Sequence, residues 1–128
     1  MSQLQRILYV EDEPDIRAVA KLALEMVGGF TVKICESGEI ALREGADFEP
    51  DLILLDVMMP GIDGPTTLKG LREMPALAQV PAVFMTAKVR PAEVAHYKSL
   101  GALDVLPKPF DPMTLASQVR AIWDLHSA

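Results

Sequence analysis

The chain has 128 residues, half of them hydrophobic, and a formal net charge of -6. This length fits one domain of ordinary size, which buries roughly two-thirds of its unfolded surface. The negative charge disfavours direct binding to nucleic acid, because such proteins cluster Lys and Arg against phosphates. We therefore predict a single domain over residues 1–128 with no direct nucleic-acid partner.

The N-terminal segment does not predict a membrane protein or a secreted one. Its first apolar run, at residues 7–10, ends at Glu11, whereas a membrane span needs about 20 apolar residues. We expect a cytoplasmic protein without a membrane partner. Cys35 is the sole cysteine, so no internal disulfide can form, and we expect its thiol to be buried and inert.

Five short apolar runs predict β-strands, and the segments between them predict helices. In chain order, the runs are residues 7–10, 32–35, 52–55, 82–85 and 102–106. Regular alternation of strand and helix is typical of βαβ units, whose strands pair in parallel. The predicted architecture is therefore α/β.

Two of the helical segments carry apolar residues at steps of three and four. The stripe after the first strand consists of Ile16, Val19, Ala20, Ala23 and Val27. The stripe near the C-terminus consists of Leu115, Val119, Ile122 and Trp123. Prolines suited to the first turn of a helix are Pro14, Pro91 and Pro112. We expect both stripes to face the core.

Strand composition also predicts the order of the strands. The runs at 7–10, 52–55 and 82–85 are unbroken, as in strands covered by helices on both faces. The other two carry Lys33 and Asp104, as edge strands do. With right-handed crossovers, the order 2-1-3-4-5 fits. We predict a doubly wound, five-stranded parallel sheet, flavodoxin-like in its strand order.

Polar residues stand where the predicted strands end. In chain order they are Glu11, Asp12, Asp56, Thr86 and Lys108. In an open parallel sheet, ligands bind beyond the carboxyl ends of the strands where the winding reverses, here between strands one and three. We therefore predict that these side chains share one site.

The predicted site has an excess of negative charge. Three carboxylates against the single cation of Lys108 leave about -2 on formal counting, and like charges this close do not all stay ionised without a partner. A site made of oxygen ligands suits Mg²⁺, which binds through few carboxylates and keeps several waters. Mg²⁺ is therefore the predicted cofactor.

Four short fragments follow four of the predicted strands. They are Glu11-Asp12, Asp56 within Leu-Asp-Val-Met-Met-Pro-Gly, Thr86-Ala87, and Lys108-Pro109-Phe110. Together they resemble the motifs of the response-regulator receiver domain family of two-component signalling. Each fragment alone is weak, but the four occur in family order, and the resemblance covers the whole chain.

The resemblance implies a phosphoryl acceptor and a set of metal ligands. Asp56 would take a phosphoryl group from a phosphohistidine of a sensor histidine kinase or a histidine phosphotransfer protein. Asp12, Asp56 and the backbone carbonyl of Met58 would bind Mg²⁺, with Glu11 acting mainly through water. The domain would promote its own phosphorylation and dephosphorylation without being an enzyme acting on another substrate.

The resemblance also assigns the remaining motif residues. Lys108 would pair with Asp56 and then with a phosphoryl oxygen, and Thr86 would donate its hydroxyl to another oxygen. Ala87 would belong to the cofactor-binding residues, and the bond before Pro109 would be cis. Output would pass to a protein partner on the face of helix 4, strand 5 and helix 5, unless the chain is excised from a longer protein.

One position departs from the family pattern. Three residues before Lys108, where many members carry Tyr or Phe, this chain has Val105. In the family that aromatic side chain turns inward behind the moving Thr or Ser. Signalling is therefore expected to follow a weaker or different route here, through a shift of backbone and packing.

Three other functions compete with this one. A flavin-binding electron carrier shares the strand order, but the acidic run at residues 11–13 would repel its phosphate. A phosphohydrolase of the haloacid-dehalogenase type normally has a second Asp where this chain has Met58. A receiver-like module that is never phosphorylated is disfavoured, because the site residues are all present.

Overall fold

Buried apolar runs form the five strands of one parallel sheet in the computed structural model, which describes residues 3–127. The strands are β1 (Arg6–Val10), β2 (Thr31–Cys35), β3 (Leu52–Asp56), β4 (Ala82–Thr86) and β5 (Asp104–Pro107). Their order is β2-β1-β3-β4-β5, and every adjacent pair is parallel. The edge strands carry the half-buried Lys33 and Asp104. The predicted fold class and strand order are confirmed.

Helices connect the strands and cover both faces of the sheet. In the described part of the chain they are α1 (Pro14–Leu22), α2 (Gly38–Phe48), α3 (Gly64–Arg72), α4 (Pro91–Ser99) and α5 (Leu115–Ser127). A π-helical turn (Ala23–Val27) extends α1, and a short 3₁₀ helix (Pro75–Leu77) follows α3. Two helix starts are capped by side chains, Ser37 at α2 and Asp63 at α3.

The sheet carries a core layer on each face. Successive side chains of a strand point to opposite faces, so Ile7 and Tyr9 of β1 enter one layer, and Leu8 and Val10 enter the other. Helices α1 and α5 contribute to the first layer, whereas α2, α3 and α4 contribute to the second. This burial on both faces fixes the ends of the central strands, where the candidate site lies.

The buried face of the first helix differs from the predicted stripe. Ala20, Ala23 and Leu24 are buried, whereas Val19 and Val27 are 43% and 53% exposed. The expectation that Val19 and Val27 face the core is therefore wrong. Val27 lies in the π-helical turn, which has more residues per turn than an α-helix, so a stripe of α-helical period does not continue to it. Val19 precedes that turn, in a helix whose buried residue is Ala20. The stripe predicted for α5 is buried as expected.

Two predicted boundaries are also shifted. Pro112 lies in a turn before α5, where Asp111 Oδ1 accepts a hydrogen bond from the N–H of Met113 at 2.9 Å. That turn delays the helix until Leu115. Strand β5 begins at Asp104, two residues into its predicted run, because the N–H of residue 102 still donates to a carbonyl of α4.

Candidate functional site

The five side chains predicted to form one site lie together at the carboxyl ends of four strands. Glu11 and Asp12 directly follow β1, Asp56 and Thr86 end β3 and β4, and Lys108 follows β5. Parallel pairing brings these ends to one edge of the sheet. The arrangement of the residues is thus given by the topology, and their roles stay predictions.

Lys108 lies between two carboxylates. Its Nζ is 3.2 Å from Asp56 Oδ1 and 2.9 Å from Glu11 Oε1. Burial works against its positive charge, but the two carboxylates raise the pKa of Lys108 above its ordinary value. The peptide bond from Lys108 to Pro109 is cis, as the resemblance implies. Besides the expected partner Asp56, Lys108 therefore has a second and nearer partner, Glu11.

Protein donors hold both carboxylate oxygens of the fully buried Glu11. Oε1 accepts hydrogen bonds from Lys108 Nζ at 2.9 Å and from the Tyr9 hydroxyl at 3.4 Å. Oε2 accepts one from the N–H of Glu13 at 3.3 Å. Burial acts to raise the pKa of Glu11, but the Lys108 and Glu13 donors outweigh it and lower that pKa. These contacts favour indirect binding of a metal by Glu11, through water.

Asp12 presents the carboxylate best suited to direct binding of a metal. It is half-buried, and no donor within residues 3–127 bonds to its oxygens. Arg17 Nη1 instead holds the backbone of this loop, because it donates to the carbonyls of Glu11 at 3.1 Å and Asp12 at 2.7 Å. Carboxylate oxygens of Glu11, Asp12 and Asp56 lie within 4.8 Å of one another.

Asp56 is the carboxyl group of the site whose pKa is raised. It is 4% exposed, and burial followed by the charge of Glu11 raises its pKa from 3.8 to about 7, although Lys108 acts in the opposite direction. Burial and the charge of Glu11 therefore favour the protonated form of Asp56 in the cation-free protein. A cation among the three carboxylates would favour the ionised form.

The raised pKa of Asp56 predicts a stability difference that depends on pH. Because the folded-state pKa of about 7 exceeds the unfolded value of 3.8, the carboxyl group's stabilising contribution is complete below pH 3.8 and is lost as pH rises to about 7. Asp56→Asn should therefore exceed wild type in unfolding free energy above pH 7 by a few kcal/mol, on the scale of about 1.4 kcal/mol per pKa unit.

Urea unfolding in EDTA at pH 4 and pH 8 measures this difference. The advantage of Asp56→Asn should be larger at pH 8, and Asp124→Asn, at an exposed position of α5, should show no such change. An advantage of the same size at both pH values would contradict the prediction.

The residues present fit a hard divalent cation. Their donors are carboxylate oxygens, the ligand type that Mg²⁺ prefers. The Met58 side chain is 77% exposed, whereas Met59 and Met85 are buried. The side chain of Met58 points outward in the turn after β3. Its backbone carbonyl stays a predicted ligand.

Thr86 sits at the end of β4 with a hydroxyl that is already engaged. It is 5% exposed, and its Oγ1 accepts a hydrogen bond from the N–H of Lys88 at 3.1 Å. This contact caps the strand end and leaves the O–H free to donate elsewhere. Ala87 is exposed and lines the pocket over Asp56.

That pocket has a volume of about 240 Å³. Its wall includes Asp56, Thr86 and Lys108, and also Tyr97 of α4. Sequence reasoning did not identify Tyr9, Arg17 or Tyr97 as residues of the site. A tyrosine inside an otherwise aliphatic strand was a usable signal for Tyr9, whereas the other two contacts exist only once the helices are placed.

Gly64 lies against the backbone at the end of β3 and leaves no room for a side chain. A Cβ atom there would overlap the carbonyl oxygen of Asp56 and would lie 2.9 Å from Val57 Cα. Because backbone cannot move aside as a flexible side chain can, Gly64→Ala should lower the unfolding free energy by at least about 2 kcal/mol.

Chemical denaturation of Gly64→Ala tests this expectation against a matched change in the same helix. Gly70→Ala should cost less, since its Cβ would meet only the flexible end of Leu42 at 2.6 Å. Equal losses in the two variants would contradict the packing argument.

Other candidate groups lie away from the pocket. Cys35 is buried, and burial raises the pKa of its thiol to about 11, so it stays protonated as expected. His96 and His126 are exposed. No helix in residues 3–127 is long and apolar enough to cross a membrane.

Comparison with known proteins identifies one family across nearly all of this chain. The model for the response regulator receiver domain matches residues 7–120. The chain is 40% identical over 119 residues to the transcriptional regulatory protein CpxR of Escherichia coli K12, which covers 93% of this chain and 49% of CpxR. It is 38% identical over 117 residues to the DNA-binding response regulator MtrA of Mycolicibacterium smegmatis, covering 91% and 50%. The chain thus spans about half the length of these relatives.

Solved structures agree with this match. The chemotaxis protein CheY4 of Vibrio cholerae superposes with a TM-score of 0.85 at 28% identity, over 93% of this chain and 98% of that one. A response regulator from Chloroflexus aurantiacus gives a TM-score of 0.83 at 32% identity, over 95% and 99%. The five-stranded fold is therefore shared with both.

Proposed function

The chain belongs to the response regulator receiver domain family, and on that premise we propose that Asp56 accepts a phosphoryl group from a phosphohistidine in a Mg²⁺-dependent reaction. The family acts by phosphorylation and signalling. The observation that carries the proposal is the position of Asp56, a buried carboxylate at the end of β3 beside Lys108 and within 4.8 Å of the Asp12 carboxylate.

In the transfer step, this chain supplies the nucleophile and the phosphoryl donor supplies the leaving group. A carboxylate oxygen of Asp56 forms a bond to phosphorus while the phosphorus–nitrogen bond of the phosphohistidine breaks, and the imidazole leaves with the electron pair and takes up a proton. Phosphoryl transfer needs positioning and charge neutralisation more than covalent assistance. Lys108, already 3.2 Å from Asp56 Oδ1, would turn its charge toward a phosphoryl oxygen.

Asp12, Asp56 and the Met58 carbonyl would hold Mg²⁺, and Glu11 would act through water. The ion would supply positive charge for the phosphoryl oxygens. The nucleophile must be ionised, and a pKa of about 7 leaves only part of Asp56 in that form near neutral pH. Lys108, at 3.2 Å from Asp56 Oδ1, acts to lower that pKa and so favours the ionised nucleophile.

Thr86 would carry the change from the site to the surface. A phosphoryl group adds acceptor oxygens, and the Thr86 hydroxyl would donate to one of them, with Ala87 forming the adjoining wall. The chain segment after β4 would then shift toward Asp56. The face formed by α4, β5 and α5 would present this shift to a downstream protein target.

The proposed partners are proteins. A sensor histidine kinase or a histidine phosphotransfer protein would supply the phosphoryl group. Two relatives are named a transcriptional regulatory protein and a DNA-binding response regulator, and this chain matches about half of each. Its net charge of -6 disfavours DNA contact by this domain itself. We propose that residues 1–128 act as one receiver domain without turning over any separate substrate.

Intact mass after incubation with acetyl phosphate tests the proposed function without a cognate kinase. The wild-type chain should gain one phosphoryl group in Mg²⁺ and none in EDTA. Equal labelling in EDTA, or no labelling in Mg²⁺, would overturn the proposal.

A further inference from the structure

Helix α4 has the weakest attachment of the α-helices in the described chain. None of its residues is fully buried, whereas each of the other four buries at least one. Only Val94 and Tyr97 of α4 pack against a core layer. Regions with few buried apolar contacts open and move at the lowest free-energy cost. The position of α4 therefore depends on these two side chains.

Tyr97 is the anchor that reaches the central strands. Its ring meets the ring of Phe84 edge-on, with centroids 5.4 Å apart and an interplanar angle of 65°. Phe84 is fully buried in β4 and stands two residues before Thr86. The side chains of Phe84 and Thr86 therefore point to the same face of the sheet. Val105 of β5 is the neighbour of Phe84 in the sheet, and its short, stiff side chain supplies no ring.

Tyr97 also lines two separate cavities. It lines the pocket of about 240 Å³ together with Asp56 and Thr86. It also lines an outer groove of about 780 Å³ together with Lys88 and Arg90. Val94, the other anchor of α4, lines neither cavity. Tyr97 is thus the one residue of α4 that lines the pocket over Asp56.

We propose that Tyr97 is the positioning residue that couples occupancy of the Asp56 pocket to the position of α4. This inference rests on the proposed function of Asp56. Donation of the Thr86 hydroxyl to a phosphoryl oxygen changes the pocket wall that Tyr97 shares. The Tyr97 ring then repacks against Phe84 and moves the weakly held α4 with it.

Fluorotyrosine NMR can follow the site and the helix separately. The chain has two tyrosines, so protein labelled with 3-fluorotyrosine gives one signal from Tyr97 and one from Tyr9. The Tyr9 hydroxyl is 3.4 Å from Glu11 Oε1 and reports occupancy of the acidic site. Beryllofluoride with Mg²⁺ serves as the stable substitute for a phosphoryl group.

Both signals should shift in wild type when beryllofluoride and Mg²⁺ are added. In Thr86→Ala, at beryllofluoride concentrations raised until the Tyr9 shift is complete, the Tyr97 shift should be lost. A shift of Tyr9 without any shift of Tyr97 in wild type would overturn the coupling while leaving the proposed function intact, as would an equal Tyr97 shift in Thr86→Ala. If neither signal responds, the proposed function fails and the coupling fails with it.

Amide exchange of residues 91–99 supplies a second readout with matched variants. Beryllofluoride should change this exchange in wild type, Tyr97→Phe and Val94→Ala, and the change should be lost in Tyr97→Ala. Phosphorylation by acetyl phosphate, measured by intact mass, should be retained in Val94→Ala. Exchange is compared at beryllofluoride concentrations at which the Tyr9 signal of each protein has shifted fully. Equal loss of the response in Val94→Ala and Tyr97→Ala would reduce Tyr97 to a packing residue and refute the coupling, as would a full response in Tyr97→Ala.

Discussion

Phosphorylation by acetyl phosphate in Mg²⁺ is expected to be abolished in Asp56→Asn. An amide offers no carboxylate oxygen to attack phosphorus, and it also removes one of the proposed metal ligands. Because the Asn side chain has nearly the same volume, the buried position at the end of β3 should keep its packing. The fold should therefore remain while labelling disappears.

Intact mass over time measures the expected loss. Asp47→Asn, at an exposed position of α2, makes the same chemical change outside the site and should be labelled like wild type. Comparable labelling of Asp56→Asn and wild type would show that another residue accepts the phosphoryl group.

The second large effect is expected on Mg²⁺ affinity. Asp12→Ala should weaken Mg²⁺ binding by at least about 100-fold, since even the outer partners of metal ligands are worth about 10- to 100-fold. The structural reason is the free Asp12 carboxylate, which accepts no hydrogen bond from residues 3–127 while both Glu11 oxygens are held by protein donors.

Thermal unfolding at increasing Mg²⁺ concentration detects the change in affinity. A cation that binds only the folded state stabilises it by about 2.7 kcal/mol at 100 times its Kd. Wild type and Asp15→Ala, which removes an exposed carboxylate from the first turn of α1, should show this rise in melting temperature, whereas Asp12→Ala should show little of it. The same rise in all three proteins would place the metal elsewhere.

The strand order and the convergence of the site follow from local features of the sequence. Unbroken apolar runs mark the central strands, a single charge marks each edge strand, and polar residues follow directly. Once the strands are parallel, Asp56 and Lys108 come to the same edge without any further information. These features depend on neighbours in the chain, which is why the sequence reveals them.

Contacts between distant elements could not be predicted in this way. The 2.9 Å ion pair joins Lys108 to Glu11 across 97 positions of the chain, and the ring contact of Tyr97 depends on how α4 packs on β4. The misplacement of Val27 has a related cause, because a π-helical turn changes the helical period after Leu22 without an evident signal in the sequence.

Chemical location of the phosphoryl group tests the central claim most directly. Borohydride reduction converts an aspartyl phosphate into homoserine, which peptide mass spectrometry can assign to one position. After treatment with acetyl phosphate and Mg²⁺, homoserine should appear at position 56 and should be absent when EDTA replaces Mg²⁺. Homoserine at another acidic position, or a phosphorylated chain with none at position 56, would contradict the account.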